Sequence, residues 1–165
     1  MAFLRKRSVY QSLSVSVMTP FDVPEFPRDC HLYDYQHSSG NVIHTHCKQK
    51  IFQMPIGASG YLLYGPYVKV PAGHYVAMYA VRATRIIGRA ISVMSDITVE
   101  YIPISEEKQS IIRSYSTEWE LVAHKFHIHT DTGALEMRLR LPNVHEQPVM
   151  AWGQVALRRL PDRSY

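Results

Sequence analysis

The chain has 165 residues, 46% apolar and 19% charged, a composition typical of one globular domain of about 100–200 residues. Eleven tyrosines and ten prolines favour an all-β fold over a helical bundle. The formal net charge of +4 comes without a dense basic stripe, so we expect no nucleic-acid partner. Serines interrupt the apolar residues near the amino terminus. We therefore expect no signal peptide and no membrane insertion, and the sequence leaves the localisation open.

The first 36 residues differ from the rest of the chain. Leu13, Val15 and Val17 alternate with serines in the pattern of a half-buried strand, and three prolines follow. Such an apolar row cannot bury itself, so it lies either on its own domain as an edge strand or on another subunit. We predict an extended arm over residues 1–36, a β-sandwich domain over residues 37–165, and a homo-oligomer or larger complex joined through the arm.

The two cysteines, Cys30 and Cys47, are too few for a disulfide framework. Free thiols are the expectation, and a single bridge between them stays open.

Two pairs of histidines lie two residues apart, which places both members of each pair on one face of a strand. The pairs are His44 with His46 and His127 with His129. Imidazoles at this spacing can chelate zinc, so His44 and His46 are candidate metal ligands. A polar strand surface explains the same spacing, and we expect no metal and no cofactor.

The stretch from Gly60 to Arg82 predicts two strands and the start of a third around two turns. Gly65-Pro66 must bend the chain, and Pro71-Ala-Gly73 predicts a tight turn before a long strand. Three tyrosines surround the first bend, and we expect them to pack in the corner rather than to form a ligand platform; they are Tyr61, Tyr64 and Tyr67.

Later segments repeat the strand pattern. Residues 85–101 are rich in β-branched side chains and predict a pair of strands, and Ser105 begins at most a short helix. Residues 135–141 alternate strictly, with leucines and a methionine on one face and Glu136, Arg138 and Arg140 on the other. The last strand places Trp152, Gln154 and Arg158 outward, and its inward row is Val149, Ala151, Gly153, Val155 and Leu157. We therefore predict an all-β, antiparallel β-sandwich of jelly-roll type.

The segments GYLLYGPY and VPAGHY together resemble the GPY-x-x-LPAG-x-Y pattern of small β-sandwich domains found beside bacterial polysaccharide-handling enzymes. More loosely, they resemble carbohydrate-binding jelly rolls. The resemblance runs over about residues 40–160 in overall pattern. It implies a non-catalytic module that binds a bacterial surface or capsular glycan.

A sugar site needs an exposed aromatic ring flanked by polar side chains. If the last two long strands are neighbours, their outward rows form one such face. The predicted ligand-binding residues are Trp152, Gln154, Arg158, Glu136, Arg138, Arg140, His127 and His129. The alternative is a solvated sheet on which a loop or the arm covers Trp152.

Two other functions remain open. The domain could be a structural jelly-roll subunit of a virion or surface appendage, with the arm as its connection. It also partly resembles the cupins, which are metal-dependent enzymes with two sequence motifs. Gly40, His44, His46 and Gly57 partly match the first motif of Gly, His-x-His, Glu and Gly, and Gly65, Pro71, Gly73 and His74 partly match the second motif of Gly, Pro-x-Gly and His. No glutamate follows His46 at the cupin position, and no Gly-x-Ser-x-Gly nucleophile motif or phosphate-binding loop is present, so we expect no enzyme.

Overall fold

The computed structural model describes residues 23–35, 37–44, 49–83, 90–113 and 118–162. All regular structure in these ranges is β, and none of it is a helix long and apolar enough to span a membrane. The strands are β1 His31–Asp34, β2 Asn41–His44, β3 Lys50–Met54, β4 Gly60–Leu63, β5 Pro66–Val70, β6 Gly73–Ala83, β7 Ala90–Val99, β8 Ile102–Pro103, β9 Lys108–Arg113, β10 Glu120–Ile128, β11 Thr132–Leu141 and β12 Val149–Arg159.

These strands form two six-stranded sheets, and every pairing is antiparallel. Sheet 1 has the order β10-β6-β12-β3-β2, and β1 pairs with the second half of β12. Sheet 2 has the order β4-β11-β7-β8, with β5 paired to β11 and β9 paired to β7. The predicted antiparallel β-sandwich of jelly-roll type is confirmed.

The main core lies between the sheets and is built from alternate side chains of each strand, as the period of a strand requires. The inward row predicted for β11 is confirmed, since Leu135, Met137 and Leu139 are completely buried. Burying each such side chain stabilises the fold by about 1.5–3 kcal/mol. The inward row predicted for β12 is also confirmed by four residues of the same cluster, Val149, Ala151, Val155 and Leu157.

The outer face of sheet 1 carries a second apolar layer, which the segment before β1 covers. Phe26 packs against two clusters on this face, one around Trp152 and one around Met78. Cys30 packs on the second cluster, where burial raises the pKa of its thiol. Its thiol is free, and Cys47 lies outside the described residues.

Part of the segment predicted as an arm, residues 1–36, belongs to the described sandwich. β1 pairs in sheet 1 with His31 opposite Leu157, and Tyr35 is buried in the main core, where its hydroxyl donates to the carbonyl of Met137. β1 and Tyr35 therefore belong to the sandwich. β3 pairs with the first half of β12, and β1 pairs with the second half on the same edge. The apolar row from Leu13 to Val17 lies outside the described residues, so its packing stays a prediction.

The structure confirms only some of the predictions made for the segments between the long strands. The predicted bend at Gly65-Pro66 separates β4 from β5, and its peptide bond is cis. The strand pair expected within residues 85–101 is wrong for the described portion, where β7 is one continuous strand. The segment after Ser105 enters β9 without a helix, because its backbone pairs with β7.

Candidate functional site

A row of five aromatic rings crosses the outer side of sheet 2, in the order Tyr101, Tyr67, His37, Tyr64 and Tyr61. We call it the tyrosine row. Neighbouring ring centroids are 6.4, 6.3, 5.3 and 6.3 Å apart in that order. Tyr67 is 39% exposed and Tyr101 is 77% exposed, so one end of the row is open to solvent.

Four different segments place these rings. Tyr61 lies on β4 opposite Arg140, and Tyr64 and Tyr67 flank the Gly65-Pro66 bend. His37 forms a single bridge to Tyr64, and their rings stack with an interplanar angle of 13°. Tyr101 lies in the turn between β7 and β8. The row therefore exists only after sheet 2 has assembled.

Three residues at the open end have a left-handed backbone, which side chains other than glycine rarely adopt. They are Tyr67 with φ of 60°, Glu100 with φ of 49° and Tyr101 with φ of 67°. Glu100 and Tyr101 are the central pair of the β7–β8 hairpin, since Val99 pairs with Ile102. Such turns normally contain Asn-Gly or a similar pair, and each bulky replacement costs about 1–2 kcal/mol. The chain thus holds two exposed tyrosine rings in place at a conformational cost.

A buried carboxylate forms the floor beneath this end of the row. Glu136 of β11 is 3% exposed and accepts hydrogen bonds from Thr98 Oγ1 at 3.0 Å and Tyr67 Oη at 3.3 Å. Partial burial and the nearby carboxylate raise the pKa of Tyr67, so its phenol stays protonated and donates. The floor fixes the Tyr67 ring from below.

Two ion pairs follow Glu136 along the outward face of β11. Arg138 Nε donates to both carboxylate oxygens of Asp96 at 3.1 Å, which raises the pKa of the guanidinium. The Arg138 guanidinium also lies 5.1 Å from the centre of the Tyr61 ring. Arg140 Nε donates to Glu107 Oε1 at 2.6 Å. Both arginines are therefore already committed to carboxylates.

The joint face predicted from the sequence does not form. Glu136, Arg138 and Arg140 belong to β11 of sheet 2, whereas Trp152 and Gln154 belong to β12 of sheet 1. The two strands follow each other in the chain but lie in opposite layers of the sandwich. The expectation that they are neighbours is wrong, and the predicted set is divided between two surfaces.

Trp152 points outward from sheet 1 as predicted, but it is not an exposed platform. The indole is only 2% exposed and meets Trp119 edge to face at a centroid distance of 5.7 Å. Phe26 packs against the same cluster. The alternative weighed from the sequence, a tryptophan covered by other parts of the chain, is the one that the structure shows.

The other two predicted ligand-binding residues of β12 contact β1 and the segment before it. Gln154 Nε2 donates to Asp34 Oδ1 at 3.0 Å, and its oxygen accepts from the Trp152 indole at 3.3 Å. Arg158 pairs with Asp29 at 3.5 Å. These contacts hold β1 and the preceding segment on the sheet.

His127 and His129 lie at the far end of sheet 1, away from Trp152. His74 lies opposite His127 and stacks on it at 4.1 Å, and His129 contacts His127 at 4.3 Å. Partial desolvation, followed by the two neighbouring imidazoles, lowers the pKa of His127. His74 and His127 stack, His127 and His129 meet edge to face, and no group of three metal-binding side chains occurs in the described ranges.

The cupin-like residues are separated as well. His44 is exposed on the edge strand β2, opposite Lys50, and His46 lies outside the described residues. His74 lies on β6, which is separated from β2 by β3 and β12. The structure does not bring the described members of the proposed set together.

Sequence reasoning missed two members of the row and gave three others a different role. Tyr61, Tyr64 and Tyr67 lie at the predicted corner, but they face outward over sheet 2 rather than filling the core. Tyr101 was read as the end of a strand because Glu100-Tyr101 has none of the residues that signal a hairpin. His37 carried no signal, since a single bridge across the sheet places it.

No family model and no curated protein matches the sequence. Among solved structures, the chain is similar to an arabinose-bound GH51 α-L-arabinofuranosidase, with a TM-score of 0.51, 13% identity and coverage of 76% of this chain and 22% of that one. It is also similar to the C-terminal CBM6 of LamC, a marine laminarinase from Zobellia galactanivorans (TM-score 0.49, 10% identity, 79% and 99% coverage). A third similar structure is the carbohydrate-binding module CBM6cm-2 of Cellvibrio mixtus lichenase 5A in complex with cellotriose. Its TM-score is 0.47, its sequence identity is 13%, and the match covers 78% of this chain and 93% of that one. At 13% identity, the likeness to the arabinofuranosidase shows the fold alone.

Proposed function

We propose that the chain is a non-catalytic carbohydrate-binding module and that the tyrosine row is its glycan contact. The observation that carries this proposal is the unbroken line of five rings over a buried carboxylate. Aromatic rings pack against the C–H faces of a pyranose, while carboxylates and other polar groups accept hydrogen bonds from its hydroxyls. Both kinds of group meet at Tyr67 and Glu136.

The spacing of the rings favours a chain of sugars over a single one. Neighbouring centroids lie 5.3–6.4 Å apart, so a linear oligosaccharide can contact several rings at once. Contacts made in series raise the affinity because the ordering cost is shared among them. We therefore expect affinity to rise with the length of the oligosaccharide.

Backbone strain at the open end supports a role in binding. Strained residues persist where the surrounding structure holds them, and they concentrate at ligand sites. Tyr101 is 77% exposed and forms no part of the core, so folding alone gives no reason to keep it at a position suited to glycine. A ligand that contacts the ring supplies that reason.

A binding role fits the carboxylates better than hydrolysis does. Glycoside hydrolysis needs two carboxyl groups free to act on opposite sides of one bond. Asp96 and Glu107 on this face are each bound by an arginine. The other described carboxylate at this end, Glu100, lies in the exposed β7–β8 turn and not on the floor, so the position of Glu136 suits recognition of hydroxyl groups.

The proposed ligand is a bacterial surface or capsular glycan. This finer assignment is supported by the sequence resemblance at GPY and PAG alone. The first of those motifs is the bend that carries Tyr67.

A glycan array followed by calorimetry tests the proposal. We expect reproducible binding to an oligosaccharide and loss of at least about tenfold in affinity in Tyr101→Ala, since stacking on one ring is worth about 1.4 kcal/mol or more. Ile111→Ala is the matched control, because Ile111 is 56% exposed on β9 of the same sheet but outside the row.

Two results would contradict the proposal. One is binding that Tyr101→Ala leaves unchanged, which would place the contact elsewhere. The other is silence across the array, which would favour the structural-subunit alternative.

A further inference from the structure

The floor of the tyrosine row is a buried carboxylate that forms no ion pair among the described residues, although the Arg138 guanidinium, itself bound to Asp96, lies near enough to attract it. Glu136 is 3% exposed, and its two hydrogen bonds come from the neutral hydroxyls of Thr98 and Tyr67. Among the described residues it has no ion pair. A buried carboxylate is costly unless it is paired, so this position favours a ligand that brings a positive charge or several donors.

The nearby cations are already used. Arg138 is bound to Asp96 through a bidentate contact, and Arg140 is bound to Glu107. Each of these pairs is neutral as a unit. Lys69, two residues after Tyr67, is exposed and forms no ion pair with Glu136 within the described ranges. Glu100 beside Tyr101 adds a second negative charge at the open end.

The rings above the floor also favour a cation. The electron-rich face of a tyrosine attracts an ammonium group held within about 6 Å of the ring centre. Tyr67 and Tyr101 lie 6.4 Å apart at the open end, so a charged group between them can contact both rings. An ammonium reaching Glu136 from this side would gain a charge-assisted hydrogen bond as well.

We propose that the glycan bound at the tyrosine row carries free amino groups, as a polymer of 2-amino sugars does. This inference rests on the proposed function. It names an ammonium-bearing sugar as the ligand and excludes sugars that carry carboxylates, because these would meet Glu136 and Glu100. Uncharged glycans would pack against the rings of the tyrosine row but would form no charge-assisted hydrogen bond with Glu136.

Calorimetry with four hexasaccharides of different charge tests the inference at about pH 6, where an amine is protonated. The probes are the glucosamine, N-acetylglucosamine, glucose (cellohexaose) and galacturonate oligomers. We expect the glucosamine oligomer to bind about tenfold more tightly than the two neutral ones, as one charge-assisted hydrogen bond in place of a neutral one predicts. The galacturonate oligomer should bind most weakly.

Glu136→Gln should remove the preference for the amino sugar while keeping residual binding on the rings. Glutamine has nearly the same shape, and its Oε1 can accept from one hydroxyl while its Nε2 donates to the other, so the fold should survive. A melting curve of the variant checks this. Glu107→Gln is the control, since that carboxylate is already paired with Arg140.

The failure of the inference and the failure of the proposed function give different results. Neutral oligomers that bind as tightly as the glucosamine oligomer, with Tyr101→Ala abolishing both, overturn the inference and leave the proposed function standing. A preference for the amino sugar that persists in Glu136→Gln also overturns it. Absence of binding by all four oligomers, together with a silent array, overturns the proposed function and the inference with it.

Discussion

Replacing Trp152 by alanine is expected to destabilise the fold rather than only to remove a surface ring. The indole is 2% exposed and packs with Trp119, Ile51 and Met150 on the outer face of sheet 1. Truncating a buried tryptophan costs about 3–5 kcal/mol, and the aromatic pair contributes about 0.5–1.5 kcal/mol. The covering segment can settle into part of the space, so we expect a loss of about 3 kcal/mol.

For a chain of this length, each kcal/mol changes the melting temperature by about 2–4 °C. The expected fall is therefore about 6–12 °C, measured by thermal and urea unfolding followed by circular dichroism. Tyr101→Ala is the matched control and should change the melting temperature by no more than about 2 °C, as exposed substitutions do. A Trp152→Ala protein that melts within about 2 °C of the wild type would refute the reasoning, because a covered indole cannot be removed at so little cost.

Other predictions follow from buried polar groups and from the amino-terminal segment. Tyr79→Phe should raise the free energy of unfolding by about 1–2 kcal/mol, because the hydroxyl of this fully buried residue has no hydrogen-bond partner among the described residues; a loss of urea stability would contradict this. The His124 imidazole forms hydrogen bonds with Ser95 and Ser105, and burial lowers its pKa. Protons therefore bind preferentially to the unfolded chain, so the free energy of unfolding should decrease as the pH falls below about 6.5. His124→Gln should flatten that dependence in urea titrations from about pH 7.5 to 5, and an unchanged slope would show that other groups cause it. We expect the full-length protein to be an oligomer and a variant lacking residues 1–22 to be a monomer by light scattering; two monomers would refute association through the arm.

The sandwich could be predicted because burial imposes a period of two on each strand. Leu135, Met137 and Leu139 reveal the inner face of β11 without any knowledge of its neighbours. Which strands are neighbours depends on contacts between distant parts of the chain. That is why Glu136 and Trp152, both correctly placed on outward faces, were wrongly joined into one surface.

The two outward faces also differ in a way that alternation does not report. Phe26 covers the face around Trp152, whereas the face around Tyr67 has no such cover among the described residues.

The position of Tyr101 could not be predicted from the sequence for a different reason. Its hairpin has a turn geometry that Asn-Gly would normally signal, and Glu100-Tyr101 gives no such signal.

The β7–β8 turn limits how this protein can be made more resistant to heat. Replacing Glu100-Tyr101 by Asn-Gly would stabilise the turn, since asparagine and glycine adopt a positive φ with little strain. The same exchange would delete the most exposed ring of the tyrosine row. Thermal tolerance and the proposed ligand recognition are therefore opposed at these two positions, and selection for heat resistance alone would favour a stable sandwich that no longer binds its proposed ligand.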